Sequence, residues 1–188
     1  MSGASAASPD VPRATGEGNI AHMKRFGLKG PNAASWLQQR GVTIPERANS
    51  WYAVHEGDDD IVIRLGHAEF FLEYGDDEKL RAVAAELATP IPGVYPVLRE
   101  DRAFALGGPA ADDVLAQMCN VNFSALRYER EAVMTMMIGV AVVVVSQGNG
   151  ALRRYRLWCD PSYGDYFESS LRDVVASAAG MATATHGA

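Results

Sequence analysis

The sequence predicts an α+β fold made of two similar halves. Residues 26–45 and 104–123 align at a constant offset of 78 positions and share one pattern of apolar residues, glycine and proline. In both segments alternating apolar residues indicate a strand, a glycine permits a tight turn, and a proline opens a helix. In the first segment the identical residues are Phe26, Leu28, Gly30, Pro31, Ala33, Leu37 and Gln39. Because each half then reads strand, helix, strands, helix, we predict an internal duplication.

In the first half, apolar periodicity and turn residues define each element. In residues 61–74, Ile61, Ile63 and Leu65 share one face of a strand, a Gly-His turn follows, and EFFLEY returns as the partner strand. The predicted elements are a strand at 26–29, a helix at 31–40, strands from Trp51, at 61–65 and at 69–74, and a helix at 78–87. The Pro-rich segment 89–101 marks the boundary between halves.

The second half is predicted to repeat this order. After the strand and helix in residues 104–123, the apolar run IGVAVVVV is too short to cross a bilayer as a helix, and its β-branched residues favour a buried strand. Strands are predicted at 132–138, 140–145 and 155–160, followed by a helix from the Asp-Pro-Ser motif at 160–162 to about residue 179.

These elements form one duplicated α+β domain over residues 22–180, with halves at about 22–90 and 100–180. Residues 1–21 are small, polar and rich in Gly, Pro and Ser, so we expect a disordered tail rather than a signal peptide. Residues 181–188 are expected to form a loose C-terminal tail. The expected location is cytoplasmic.

Composition argues against two classes of partner. The net charge is −6, and acidic and basic residues are interspersed rather than grouped. Nucleic acid and anionic membranes are therefore not expected as partners.

The sequence contains no recognisable catalytic, cofactor-binding or metal-binding motif. Cys119 and Cys159 are far apart, belong to no CxxC pair and are expected to be buried thiols. The turn at 107–109 precedes a helix and could hold an anion, but acidic residues in the first turn of that helix favour a structural role. The acidic turn at 58–60 lacks the ligand spacing of a calcium loop. The methionines in residues 134–137 are expected in core or interface packing.

Several large aromatic residues lie near loops and helix starts. Such rings are common at protein interfaces, where they bury an apolar body and keep a polar edge hydrated. We therefore predict that Trp158, Tyr163, Tyr166 and Tyr95 contribute to a partner interface. Burial in the core of the chain is the alternative for each ring.

Four segments together resemble a known family: the GPAA…L turn and helix, the hairpin RLGHAEFFLE, the segment PGVYPVLRED, and the closing YRLWCDPSYGDYFESSLRDVV. The chain resembles the gamma subunit of heterotetrameric sarcosine oxidase and of N-methylglutamate dehydrogenase. The resemblance covers about residues 26–179. It implies the fold of the folate-binding domain of the glycine-cleavage aminomethyltransferase.

The resemblance also implies a non-catalytic role within an oxidoreductase of one-carbon metabolism. Alpha, beta and delta subunits would be the partners, and they would carry the FAD, FMN, NAD, zinc and tetrahydrofolate. This chain would bind none of these cofactors and would support the alpha subunit on its folate side.

The alternative is a stand-alone protein that binds folate or acts as an aminomethyltransferase. That family uses an aspartate in the folate pocket, and Asp101 and Asp160 are the nominal candidates here. The resemblance does not assign the N-methyl amino acid, the electron acceptor or the docking face.

Overall fold

The computed structural model describes residues 16–20, 23–54, 59–75, 77–126, 130–148 and 153–184. The predicted strands and helices are found along these ranges, together with two strands that the sequence analysis did not predict. The strands are β1 (Gly16–Asn19), β2 (Lys24–Lys29), β3 (Ser50–Ala53), β4 (Ile61–Gly66), β5 (Glu69–Tyr74), β6 (Tyr95–Val97), β7 (Arg102–Gly107), β8 (Ala132–Met137), β9 (Val140–Gln147) and β10 (Arg154–Cys159). The α-helices are α1 (Ala33–Gln38), α2 (Asp77–Glu86), α3 (Ala111–Met118) and α4 (Gly164–Ala184), with 3-10 turns at Phe123–Ala125 and Pro161–Tyr163.

The strands form two antiparallel sheets of five. The first-half sheet has the order β3-β4-β5-β2-β6, and the second-half sheet has the order β8-β9-β10-β7-β1. All neighbouring pairs are antiparallel. The two sheets meet at one corner, where Ser50 at the start of β3 bridges to Glu131 just before β8. The predicted α+β class is thereby confirmed.

The two sheets share one strand order when β3, β4, β5 and β2 are matched to β8, β9, β10 and β7. A helix follows the matched strands β2 and β7, and another follows β5 and β10. This correspondence is what a repeat would produce, and descent by duplication stays a prediction. The fifth strand of each sheet comes from a different place in the chain. β6, at the edge of the first-half sheet, follows the matched strands of that sheet, whereas β1, at the edge of the second-half sheet, comes before all the matched strands.

The core is divided into three clusters because both sheets are covered on two faces. Helices α1 and α2 cover the outer face of the first-half sheet. Helices α3 and α4 cover the outer face of the second-half sheet. The inner faces pack against each other through residues that include Trp51, Ile63, Phe71, Val145 and Trp158. Strand side chains alternate between the two faces, so both faces of the central strands need apolar residues.

The chain ends are more ordered than the sequence predicts. Residues 16–19 form β1, which pairs with β7 in the register Gly16–Gly107 to Asn19–Phe104, so the expected tail over 1–21 is wrong for this segment. Helix α4 continues to residue 184, past the expected limit of 180. Residues 1–15 and 185–188, for which tails are predicted, lie outside the described residues.

Strand β6 was also missed, because its residues lie in the Pro-rich segment. Pro96 occupies an edge strand, where a missing N–H costs no central ladder bond. Gly27 lies on β2 and makes the pairing of β6 with β2 possible. A Cβ at Gly27 would lie 2.8 Å from the Val97 Cβ and 2.9 Å from the Val97 carbonyl oxygen.

Within the described residues, no helix is long and apolar enough to cross a membrane.

Candidate interaction site

An open groove of about 360 Å³ lies on the inner face of the second-half sheet, which is the face toward the other sheet. The groove runs across β8, β9 and β10. We call it the methionine groove. Its apolar floor includes Met134, Met136, Ala141 and Val143, and its acidic end is formed by Asp101 and Asp160. Trp158 and Cys159 also contribute to the wall.

The floor is open because the first-half sheet covers only part of β8. Ala132, Met134 and Met136 share one face of this strand. Ala132 is 3% exposed and packs among residues of both sheets, whereas Met134 and Met136 are 57% and 58% exposed. Coverage by the opposite sheet therefore ends between residues 132 and 134, and two methionine side chains remain on the surface.

Hydrogen bonds between side chains and the backbone hold the two residues of the acidic end in place. The Asp101 carbonyl accepts a 3.0 Å hydrogen bond from a guanidinium N–H of Arg25. Asp160 caps the turn at Pro161–Tyr163 by accepting a 2.8 Å hydrogen bond from the backbone N–H of Ser162. Hydrogen bonds from the Ser162 hydroxyl and backbone lower the pKa of Asp160. The Asp160 carboxylate is therefore ionised at neutral pH.

Cys159 lies beside these carboxylates and is not a nucleophile at neutral pH. Its side chain is buried, and burial together with the negative charges of Asp101 and Asp160 raises its pKa to about 11. The thiolate is the reactive form of cysteine. The predicted burial is confirmed for Cys159, whereas Cys119 is half-buried.

A buried ionic network lies next to the groove, between the two sheets. Glu73 on β5 is fully buried and accepts hydrogen bonds from Arg25, Arg156 and Trp158 at 2.9, 2.9 and 2.7 Å. Arg156 extends the network to Gln147 and Asp59. A buried carboxylate requires such partners, because an isolated charge in a protein interior is strongly destabilising. The sequence patterns did not indicate this network.

The network corrects the prediction for Trp158. This residue is 1% exposed, its ring packs edge-on against Phe71 at a centroid distance of 5.3 Å, and its indole N–H is bonded to Glu73. Trp158 is a core residue at the base of the groove. Trp158 is buried because β10 is the central strand of its sheet, with helices packed on one face and the other sheet packed on the opposite face.

The three predicted tyrosines are on the surface. Tyr95, Tyr163 and Tyr166 are 52%, 51% and 55% exposed. Tyr163 follows Asp160 at the acidic end, and the Tyr166 hydroxyl donates a 3.1 Å hydrogen bond to the carbonyl of Ile138 in the β8–β9 turn. Tyr95 lies on β6 of the other sheet. A role for these rings in a partner interface stays a prediction.

The turn at 107–109 contributes to packing around α3. Gly108 has a φ of 110°, which few other residues adopt, and the turn leads into the helix. Asp112 accepts hydrogen bonds from the Tyr155 hydroxyl and from Arg153, the latter at 3.2 Å. Burial, and then the hydrogen bond to Asp112, raise the pKa of Tyr155. An anion at this turn would meet the Asp112 carboxylate.

The described residues contain no group of three or more His, Cys, Asp or Glu arranged to hold a metal ion. The acidic turn at 58–60 is used for structure instead. Asp59 pairs with Arg156, and Asp60 accepts hydrogen bonds from the Gly75 backbone and from Lys79. Asp58 lies outside the described residues.

Comparison by sequence finds no matching family and no matching curated protein. Comparison by structure does find similar folds. A chain of heterotetrameric sarcosine oxidase from Corynebacterium sp. U-96, solved in complex with pyrrole 2-carboxylate, matches with a TM-score of 0.71 and 20% identity, over 90% of this chain and 87% of that chain. Glycine cleavage system aminomethyltransferase T from Bartonella henselae matches with a TM-score of 0.63 and 19% identity, over 85% of this chain and 46% of that chain.

These comparisons define the class of fold. The chain has two antiparallel sheets with helices, in the arrangement found in the aminomethyltransferase and in the sarcosine oxidase chain. This agrees with the fold that the sequence resemblance implies.

Proposed function

We propose that this chain is the non-catalytic gamma-type subunit of a heterotetrameric, flavin-dependent oxidoreductase that acts on an N-methyl amino acid. Its partners would be alpha, beta and delta subunits, as in sarcosine oxidase or N-methylglutamate dehydrogenase. The observation that carries the proposal is the coverage of the structural match. About nine-tenths of this chain aligns with 87% of one chain of a heterotetrameric sarcosine oxidase, so the shared fold extends over most of both chains.

The arrangement of side chains supports a structural role. The buried carboxylate Glu73 is saturated by partners within the chain, and the thiol of Cys159 is held protonated. The exposed apolar and aromatic side chains include Met134 and Met136 in the methionine groove and the nearby tyrosines. Surfaces of this composition favour protein contacts.

In this proposal the chemistry belongs to the partner subunits. They would hold FAD, FMN, NAD, zinc and tetrahydrofolate, oxidise the N-methyl group and pass on its one-carbon unit. This chain would support the alpha subunit on its folate side, within a cytoplasmic assembly.

Purification of the tagged chain from the cells that produce it tests the proposal. We expect it to co-elute with flavin-containing polypeptides in fixed stoichiometry, and the complex to oxidise sarcosine or N-methylglutamate. Mass spectrometry identifies the chains, the absorbance spectrum reports flavin, and oxidation is followed with an artificial electron acceptor. A stable monomer that never co-elutes with a flavoprotein would overturn the proposal.

A second candidate function is folate binding by the isolated chain, as in an aminomethyltransferase-like protein. The observation that favours it is that Asp101 and Asp160, which are 59 positions apart in sequence, line the same groove. Carboxylates beside an apolar floor could bind the amino groups of a pterin ring while the ring packs on the methionines. The match covers 46% of the aminomethyltransferase chain, so an activity of that whole protein would need further elements.

Titration of the isolated chain with tetrahydrofolate separates the two candidates. A dissociation constant near 1 μM, which corresponds to about −8 kcal/mol, would favour independent binding. In that case the replacement of Asp101 and Asp160 by Asn should weaken binding. Absence of binding at millimolar ligand would exclude independent folate binding, and co-purification of a flavoprotein would then support the subunit role.

A further inference from the structure

We propose that the methionine groove is the docking site for a polypeptide segment of a partner subunit, and that this segment carries apolar side chains flanked by lysine or arginine. This inference rests on the proposed subunit function. It assigns the face and the chemistry through which the chain joins its assembly.

The apolar floor is built for a contact that the isolated chain does not make. Met134 and Met136 are more than half exposed, although Ala132 on the same face of the strand is covered. Methionine side chains are flexible and polarizable, so they adapt to apolar groups of different shape. An apolar segment laid over them would extend the inter-sheet core beyond its present limit.

The strand itself supports this conclusion. β8 is an end strand of its sheet, and its sequence AVMTMM has no charged residue and no proline. Proteins usually protect exposed sheet edges with charges, proline or a covering element, since an apolar edge promotes aggregation. A partner element that also covers the outer edge of β8 would supply that protection.

The acidic end determines the charge of the occupant. Asp101 and Asp160 lie at one end of the groove, and Asp165 nearby in sequence has a side chain that is 98% exposed. The cations Arg25 and Arg102 lie beside this end. Arg25 is paired with the buried Glu73, and Arg102 is bonded to Glu168 at 2.9 Å and lies 3.6 Å from Asp165. Complementary charge on the partner steers association and fixes register, so a basic flank is expected.

The same charges argue against a second copy of this chain as the occupant. A symmetric dimer through the groove would bring together two surfaces with the same acidic end, each on a chain with a net charge of −6. Like charges across an interface are unfavourable. A basic segment of a different chain removes this repulsion.

Two exposed tyrosines extend the surface around the groove. The backbone N–H of Tyr163 donates to the Asp160 carbonyl at 3.0 Å, and the Tyr166 hydroxyl is bonded at the β8–β9 turn that follows Met137. Tyrosine is enriched among residues that dominate binding energy. Tyr163 and Tyr166 therefore contact segments that border the groove, and we include them in the docking surface.

Methionine oxidation tests the docking face on the unmodified protein. The free chain and the purified flavoprotein complex are treated with dilute hydrogen peroxide, and sulfoxide formation at each methionine is followed by peptide mass spectrometry. Met134 and Met136 should oxidise readily in the free chain and at least about tenfold more slowly in the complex, because a covered thioether is inaccessible to peroxide. Met137, which is fully buried, is the internal control and should react slowly in both states.

A pair of substitutions tests the charge. Asp101→Asn with Asp160→Asn should raise the dissociation constant of the complex by about tenfold at low salt, with a smaller effect at high salt. Asparagine retains N-cap ability, so the turn at Pro161–Tyr163 should be preserved. Asp113→Asn, at an exposed position on α3, is the matched control and should leave the dissociation constant unchanged.

The outcomes separate this inference from the proposed function. A flavoprotein complex in which Met134 and Met136 oxidise as in the free chain overturns the docking face and leaves the subunit role intact. Protection of these methionines in a homodimer of the free chain assigns the groove to a second copy and overturns the partner segment. Failure to recover any flavoprotein complex overturns both.

Discussion

The indole N–H of Trp158 donates a 2.7 Å hydrogen bond to Glu73, a residue 85 positions earlier in the chain. This bond joins β10 of the second-half sheet to β5 of the first-half sheet. It lies beside the ion pairs of Glu73 with Arg25 and Arg156. The contact between the halves therefore combines the apolar inter-sheet cluster with a buried ionic network built on one carboxylate.

Replacement of that carboxylate should strongly destabilise the fold. Glu73→Ala leaves two nearly buried guanidinium groups without their partner, and the loss of one member of a buried pair typically costs about 3–5 kcal/mol. Urea denaturation monitored by tryptophan fluorescence measures the change. Glu69→Ala on the same strand is the control, because its ion pair with Arg99 is partly exposed and should contribute less than about 1 kcal/mol. Equal losses in both variants would contradict the prediction.

Strand β6 should depend on the absence of a side chain at Gly27. A Cβ at this position would collide with the Val97 side chain and carbonyl, so Gly27→Ala should cost about 1–3 kcal/mol and displace β6. Thermal unfolding reports the stability, and amide hydrogen exchange reports β6. Gly66→Ala is the matched control, since the nearest atom to its Cβ would be 3.8 Å away. Undiminished protection of the β6 amides in Gly27→Ala would refute this account.

Trp158 and Tyr163 should respond differently to truncation. Trp158→Ala removes a buried ring and should reduce the free energy of unfolding by about 3–5 kcal/mol. Tyr163→Ala removes a half-exposed ring and should change stability by less than about 0.5 kcal/mol. If Tyr163 contacts the partner, its truncation should instead weaken assembly by about 2 kcal/mol. Denaturation of the free chain and titration of the complex measure the two effects, and unchanged assembly would remove Tyr163 from the interface.

Stability should fall in alkaline solution through Cys159. Its pKa is about 11 in the folded chain against an ordinary value of 9.0, so between these pH values the unfolded state releases its proton first. Deprotonation then favours the unfolded state, and the free energy of unfolding should decrease as pH rises from 9 to 11. Tyr74, whose pKa is raised to about 12, acts in the same direction at higher pH. Denaturation curves at pH 8, 9, 10 and 11 for the native chain and Cys159→Ala should show a weaker pH dependence in the variant. Identical slopes would exclude Cys159 as the source.

Local patterns were sufficient to predict most elements. EFFLEY at residues 69–74 is predicted as the partner strand that returns after a Gly-His turn, and this segment is β5. The strand β1 was missed because GEGN has no apolar residue, and its pairing with the distant strand β7 cannot be read from this segment. β6 was missed because Pro96 is typical of a loop, whereas an edge position tolerates it.

The site was less predictable, because it depends on contacts between distant segments. Alternation at Met134 and Met136 indicates a strand, but the sequence does not report where the opposing sheet stops covering it. Glu73 reads as a polar position of an amphipathic strand, and its burial follows only from the packing of two sheets. The sequence did offer one signal for this site. Glu73 is a carboxylate in a strand whose central residues, FFL, are all apolar or aromatic.

The pairing of β1 with β7 has a consequence for biosynthesis. β1 is synthesised before β7 and has no sheet to join until β7 has been made, and β10, on the other side of β7, comes later still. Such long-range pairing slows folding because a large loop must close first. The second-half sheet is therefore completed only after β10 has been synthesised, and until then the apolar strands of this half depend on protection from aggregation.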